Sequence, residues 1–277
     1  MSTLCVVIDC SPVRWGIAIE RYGESIYQTL LSGTVAFINA HLSLSADNVV
    51  AVIAANSALK DPLLSISDQS TENPDFTSYT LQKLQDALHI SAVSPNDSSA
   101  THLSPALAIA FCLKISILSV DINRLKHDYA NEGRILIVSL GGEFGVERNN
   151  LMNIFFAAHK HDIIVDVANI GKSNPILHQA CDVTGGVHIE ITEPNCFFQK
   201  LLIYCLGSSS VRAVFSKPDN SIVDYRAICH CHGKPVNIGY VCSVCLSVKC
   251  QFSPICSVCN TVYKIGALRS RKRRKEE

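Results

Sequence analysis

Charge is scarce in this chain. Lys, Arg, Asp and Glu make up 17% of its 277 residues and cancel to a formal net charge of zero. Apolar residues make up 48%, a balance that argues against a disordered chain and for a well-packed core. No uninterrupted apolar run approaches the ~20 residues that span a bilayer, so no membrane partner is expected. The opening stretch MSTLCVVIDCSPVRW has no basic segment ahead of its apolar run and meets Asp9 at once. It reads as a buried strand, not as a secretory leader, which points to a soluble protein in a reducing compartment, cytosol or nucleus. Catalytic fingerprints are missing too. There is no phosphate-binding G-x-x-x-x-G-K-[ST], no G-x-G-x-x-G after a strand, no H-E-x-x-H and no G-x-S-x-G.

Cysteine, by contrast, is plentiful and clustered. Seven of the thirteen cysteines lie between residues 229 and 259. Cys242/Cys245 and Cys256/Cys259 form two C-x-x-C pairs separated by ten residues. A C-x-x-C turn brings two thiolates to one ion, and a second such turn completes a tetrahedron for Zn2+. Disulfides do not suit a reducing compartment, and two pairs at this spacing make a ligand set more naturally than two redox dithiols. Cys229, Cys231, His232 and Cys250 are a candidate set for a second Zn2+. The alternative is that Cys250 packs as a small apolar residue beside an unrelated C-x-C. His230 is expected in a solvated loop. So small a module has little room for an apolar core, and metal must supply much of its folding energy.

The charge is unevenly placed. Residues 269–277 (RSRKRRKEE) carry six basic and two acidic groups, leaving 18 basic against 22 acidic in the rest. A body of that balance is a poor general nucleic-acid binder, so direct DNA contact is expected to be weak or absent. In the tail, Arg271, Lys272, Arg273, Arg274 and Lys275 are a candidate for nuclear import. A phosphate contact and a solvated, disordered end are the other readings of the same residues.

Residues 1–208 alternate strand and helix. Apolar runs without period-two alternation predict buried strands at 4–9, 49–55, 135–140, 163–168 and 187–191. Helical spacing predicts helices over 25–42, 76–90, 104–118, 149–161, 175–183 and 197–206. Pro12 and Gly16 punctuate a predicted loop, and 56–75 reads as a short hairpin or irregular connection. The helix at 104–118 is apolar nearly all round, so it is expected to be buried, with Cys112 in the core; Cys181 is expected there too. The ten histidines are scattered and expected mostly on surfaces and loops. The whole is the pattern of a doubly wound, mostly parallel α/β sheet with helices on both faces. The expected layout is an α/β domain over 1–208, a linker over 209–227, a zinc-binding module over 228–265 and a basic tail over 266–277.

In such a sheet ligands sit beyond the carboxyl ends of the strands, where Asp9 is followed by Cys10, Ser11, Pro12 and Val13. This segment resembles the D-x-S-x-S magnesium motif of von Willebrand factor A (vWA) domains. Asp9 and Ser11 match, but Val13 replaces the second serine and offers no oxygen. The loop with Ser139, Gly141, Gly142 and Glu143 lacks the usual aspartate, and Thr101 is the candidate distant threonine. A hard cation needs a nearly complete oxygen shell. The expectation is therefore a degenerate site, empty of magnesium, in which Asp9 caps a loop or helix end. A working metal-dependent adhesion site is the alternative.

The vWA-like body followed by DYRAICHCH, IGYVCSVCLSVKC and SPICSVC resembles the smaller vWA-containing, C4 zinc-finger core subunit of general transcription factor TFIIH. The resemblance runs from Val6-Val7-Ile8-Asp9 and Trp15-Gly16, through QACDVTGG (179–186), to Ile265. It implies a non-catalytic subunit of a nuclear complex that opens DNA for RNA polymerase II and during nucleotide excision repair, with helicase and translocase activities in other subunits. It further implies docking of the vWA domain on the RING-type zinc domain of the larger vWA-containing subunit, and a C4 zinc finger on Cys242, Cys245, Cys256 and Cys259. Two other functions stay open on the residues alone. One is a RING-like ubiquitin ligase, since the cysteine-rich stretch just offers eight ligands at irregular spacing. The other is a sequence-independent nucleic-acid binder, against which stands the presence of only Lys234 and Lys249 as basic residues between 229 and 259.

Overall fold

The computed structural model describes residues 2–263 apart from 57, 60, 68–75, 94–101, 123–131, 143, 145–146, 172–173, 213, 216–217 and 219–222. The chain forms two compact units, Met1–Asp224 and Tyr225–Glu277.

The first unit runs β1 (Ser2–Asp9), α1 (Pro12–Tyr22), α2 (Ser25–Leu44), β2 (Val49–Ala55), β3 (Leu63–Ile66), α3 (Phe76–Val93), α4 (Leu103–Ile122) and β4 (Glu132–Ser139). It continues through α5 (Arg148–Lys160), β5 (Ile163–Ile170), α6 (Pro175–Thr184), β6 (His188–Ile191), α7 (Phe197–Cys205) and α8 (Ser209–Arg212). The strands form one sheet in the order β3-β2-β1-β4-β5-β6. All neighbours are parallel except β3, which pairs antiparallel with β2 at one edge. The chain builds outward from β1 in one direction and then from β4 in the other. That reversal is the switch point of a doubly wound sheet, and it leaves a crevice at the carboxyl ends of β1 and β4.

Successive strand residues point to opposite faces, and both faces are buried, which is why the strands read as continuous apolar runs. Leu4, Val6 and Ile8 of β1 join Leu136 and Val138 of β4 in a core covered by α1, α2, α3 and α7. Cys5 and Val7 join Ile135 and Ile137 in a second core beneath α4, α5 and α6. The αβ turn after α6 depends on its glycines. Gly185 adopts φ 74°, and a Cβ on Gly186 would lie 1.9 Å from the Val165 carbonyl oxygen.

Three expectations are corrected. The loop expected at Pro12–Gly16 is helix α1. Ser11 is extended ahead of it, Pro12 opens the first turn with φ already helical, and Trp15 and Ala18 enter the core. Helix α4 buries only one side, through Leu103, Ala106, Leu107 and Ala110, and Cys112 is exposed. A helix laid on one sheet face has only one neighbour layer, so an all-round apolar sequence does not guarantee all-round burial. Of the histidines, expected mostly on surfaces and loops, His41, His178 and His188 are buried, whereas His89, His159, His161, His230 and His232 are exposed. Burial pushes His41 down to about 4 and His188 down to about 3.

Lastly, the stretch expected to begin a linker at 209 starts with α8. Arg212 donates from Nη1 to Asp166 Oδ2 at 2.8 Å and from Nη2 to Asp166 Oδ1. Both partners are buried, and Asp166 Oδ1 also accepts from the Val187 N–H at 2.9 Å. The same region is fastened a second time. Buried Arg134 donates to the carbonyl oxygens of Cys205 and Gly207, each at 2.7 Å, closing the last turn of α7.

Candidate metal centre

The second unit carries two small hairpins, β7 (Ala227–Ile228) with β8 (Pro235–Val236) and β9 (Tyr240–Val241) with β10 (Val248–Lys249). Between and after them the backbone repeats one tight turn. The Cys242 N–H donates to Ser247 O and the Leu246 N–H to Cys242 O, both at 3.0 Å. The Cys256 N–H donates to Thr261 O and the Asn260 N–H to Cys256 O, both at 2.9 Å. Leu246 and Asn260, each directly after the second cysteine of its pair, both sit at φ 57°. Both turns thus end on a left-handed residue, and within the first of them the Val244 N–H donates to Cys242 Sγ at 3.5 Å.

These two turns face each other. The ligand atoms of Cys242, Cys245, Cys256 and Cys259 all lie within 4.8 Å of one another. Across the turns, Cys242 Sγ is 3.6 Å from Cys259 Sγ, and Cys245 Sγ is 3.6 Å from Cys256 Sγ. A disulfide would need ~2.05 Å. Four sulfurs at ~2.3 Å from one zinc would lie ~3.8 Å apart along each tetrahedron edge, close to the spacing seen. At the first cysteine of each pair, backbone donation favours the thiolate form. N–H groups of Cys259 and Val258 bring Cys256 down to about 5, and those around Cys245, with Tyr263, bring Cys242 down to about 7. Ser247 Oγ lies 3.1 Å from Cys245 Sγ and Thr261 Oγ1 lies 3.1 Å from Cys259 Sγ, giving each pair a hydroxyl neighbour.

A second set of sulfurs lies alongside. Cys229, Cys231 and Cys250 place their ligand atoms within 4.8 Å of one another; His232 is outside that group. Cys229 Sγ accepts from Cys250 N–H at 3.1 Å and Cys231 N–H at 3.4 Å. Desolvation pushes this thiol up, but these donors outweigh it and bring Cys229 down to about 7.

His232 nevertheless occupies a telling position. Cys229 N–H donates to Lys234 O and Gly233 N–H to Cys229 O, each at 2.9 Å, with Gly233 at φ 65°. That is the turn of the other two pairs, and it puts His232 where Cys245 and Cys259 stand. Its Nδ1 accepts from the Lys234 N–H at 3.3 Å. The two sets also interleave along the chain, with Cys229/Cys231 grouped with Cys250 across Cys242/Cys245. Spacing alone brought out the C-x-x-C pairs. The third turn was legible only as Cys-x-x-His followed by a glycine. His230 is exposed, as expected.

Among the described residues of this unit, the buried apolar side chains are Cys229, Cys242 and Cys256, with Ser247 and Lys249 buried beside them, whereas Ile238, Val244, Leu246 and Val262 are among the exposed ones, Ile238 by 88%.

The other candidate site lies at the switch point of the sheet. Asp9 is 3% exposed, its Oδ1 accepts from the Ser11 N–H at 3.0 Å, and its Oδ2 has no hydrogen-bond partner. Burial, partly offset by the Ser11 N–H, pushes the carboxyl up to about 7. Ser11 is buried nearby, Val13 is exposed, and Ser139 Oγ accepts from the Gly141 N–H at 3.2 Å. Thr101, Glu143 and the basic residues 271–275 lie outside the described residues. Among the described residues no helix is long and apolar enough to cross a membrane.

Against known proteins, the family Transcription factor Tfb4 matches residues 1–260. The General transcription and DNA repair factor IIH subunit tfb4 of Schizosaccharomyces pombe is 32% identical over 270 residues, covering 95% of this chain and 89% of that protein. The corresponding subunit TFB4 of Arabidopsis thaliana is 30% identical over 280 residues, with coverage of 95% and 89%. Among solved structures, the crystal structure of the TFIIH p34 N-terminal domain is similar at a TM-score of 0.61 and 25% identity, over 73% of this chain and 96% of that one.

Proposed function

The chain belongs to the Transcription factor Tfb4 family, and from that premise we propose that its two units are docking surfaces within the TFIIH core. It is a non-catalytic subunit acting through protein–protein contacts in transcription and nucleotide excision repair. The vWA-like body contacts the larger vWA- and RING-containing subunit, and the protein works in the nucleus. One Zn2+ sits on Cys242, Cys245, Cys256 and Cys259. A second sits on Cys229, Cys231 and Cys250, with the His232 ring turning in as fourth ligand. The Asp9–Ser11 site is empty of magnesium, because Val13 supplies no oxygen to the shell a hard cation needs. The basic tail serves import.

The observation that carries the docking reading is the inversion of the second unit, with sulfurs inside and aliphatic side chains outside. Exposed apolar clusters of this kind mark protein contacts. The interleaved ligand order is that of a cross-braced zinc domain, and it serves here as a rigid frame for that surface.

Native mass spectrometry of the protein purified from nuclei with its partners attached tests both halves at once. The expected result is a particle containing TFIIH core subunits, with two zincs on this chain. A partner-free chain would refute the docking reading, and a single zinc would refute the second ion.

A further inference from the structure

A third group of metal-type ligands lies far from the cysteines, at the edge of the sheet. β6 pairs only with β5. Its residues alternate: Ile189 and Ile191 enter the core beneath α2 and α7, so His188 and Glu190 point to the opposite face, where α6 lies. From α6 comes His178. The two imidazole rings meet edge to face, with centroids 3.7 Å apart and planes at 65°. The ligand atoms of His178, His188 and Glu190 lie within 4.8 Å of one another.

His188 is 6% exposed, and its Nε2 is buried without a hydrogen-bond partner. A buried ring nitrogen left unpaired has a real desolvation cost, and a metal ion is a ligand that would satisfy it. Lys200 Nζ donates to the Glu190 main-chain oxygen at 2.8 Å, and no ion pair joins it to the carboxylate among the described residues. The Glu190 carboxylate is exposed and can swing inward.

We propose that His178, His188 and Glu190 form a binding site for a divalent transition-metal ion of the zinc type, distinct from the cysteine-bound ions. Two imidazole nitrogens and one carboxylate oxygen suit such an ion better than magnesium or calcium, which take oxygen. Three protein ligands leave one position open towards solvent, so the ion is exchangeable, unlike one enclosed by four thiolates. Bound there, it would clamp α6 to the edge strand. The proposal does not depend on membership of TFIIH.

The test is a zinc titration of the full chain by isothermal calorimetry, after a mild chelator wash that elemental analysis shows to leave the cysteine-bound ions in place. The expected result is one further zinc per chain, lost in His188→Gln and weakened on the order of tenfold in Glu190→Gln. Glu190 is exposed, so the second variant keeps its fold should the first fail to. The cysteine-bound count should be the same in all three proteins. The proposal is overturned if no further zinc binds, or if wild type and Glu190→Gln take it up with equal affinity.

Discussion

The two units of this chain solve the problem of folding in opposite ways. In Met1–Asp224, two layers of aliphatic and aromatic side chains are buried on either side of a sheet, and the Asp166–Arg212 ion pair is buried with them. Among the described residues of Tyr225–Glu277, the buried apolar residues are cysteines, and side chains like Ile238 and Leu246 face solvent. A body of the first kind is stabilised by the area it removes from water. A module of the second kind has almost no such area, so on the proposed reading an ion held by its thiolates supplies the difference. Leaving the apolar side chains outside then costs the fold little and gives the surface something to bind with.

The most direct way to break this contrast is to remove the metal. Structural zinc in small fingers contributes about 10–16 kcal/mol at neutral pH, so Cys242→Ser should unfold the second unit outright. Trp15 is the sole tryptophan and is buried in the first unit. Its fluorescence should therefore melt at the wild-type temperature in that variant. A shifted Trp15 transition would mean that the units do not fold independently.

The next largest effect is expected at the ion pair of the first unit. Arg212→Ala leaves Asp166 charged and buried, which costs about 3–5 kcal/mol in urea unfolding. Replacing both partners with apolar residues of similar volume should cost much less than either single change. Equal losses in single and double variants would indicate that packing of α8, not charge pairing, holds the segment.

Asp9 provides a pH signature. Its carboxyl is held at about 7 in the fold against 3.8 in the open chain. A raised value means that the protonated form suits the folded state. The penalty is absent below pH 4, grows as pH rises towards 7 and is then constant. Asp9→Asn, which cannot ionise, should match wild type near pH 4 and exceed it by up to about 4 kcal/mol above pH 7. If magnesium instead stabilises wild type and not the variant, the site is a working one.

The smallest effect on stability belongs to the exposed module surface. Ile238→Ser and Val244→Ser should change stability by less than about 0.5 kcal/mol while weakening capture of TFIIH core subunits. Unchanged capture would move the contact elsewhere.

Much of the first unit was legible because buried parallel strands leave continuous apolar runs. The segments 49–55 and 163–168 announce themselves without any knowledge of their neighbours. Helix α1 was not, because Pro12 and Gly16 carry loop signals, and the contrary signal, the burial of Trp15 and Ala18, exists only in three dimensions. The fastening of α8 was invisible for a similar reason, since Asp166 and Arg212 are 46 residues apart in sequence. His178 and His188 read as ordinary histidines until the helix and the edge strand brought their rings together. Among the candidate metal ligands, local spacing revealed the two C-x-x-C pairs, whereas the place of Cys250 depends on β10 returning beside β7.

Hydrogen-exchange mass spectrometry of the full chain, with and without a strong zinc chelator, tests the contrast most directly. Loss of protection confined to residues 227–263, with β1, β4 and β5 as slow as before, is the expected result. A module that keeps its protection without metal, or a body that loses protection along with it, would contradict the view that apolar burial holds one unit and bound metal the other.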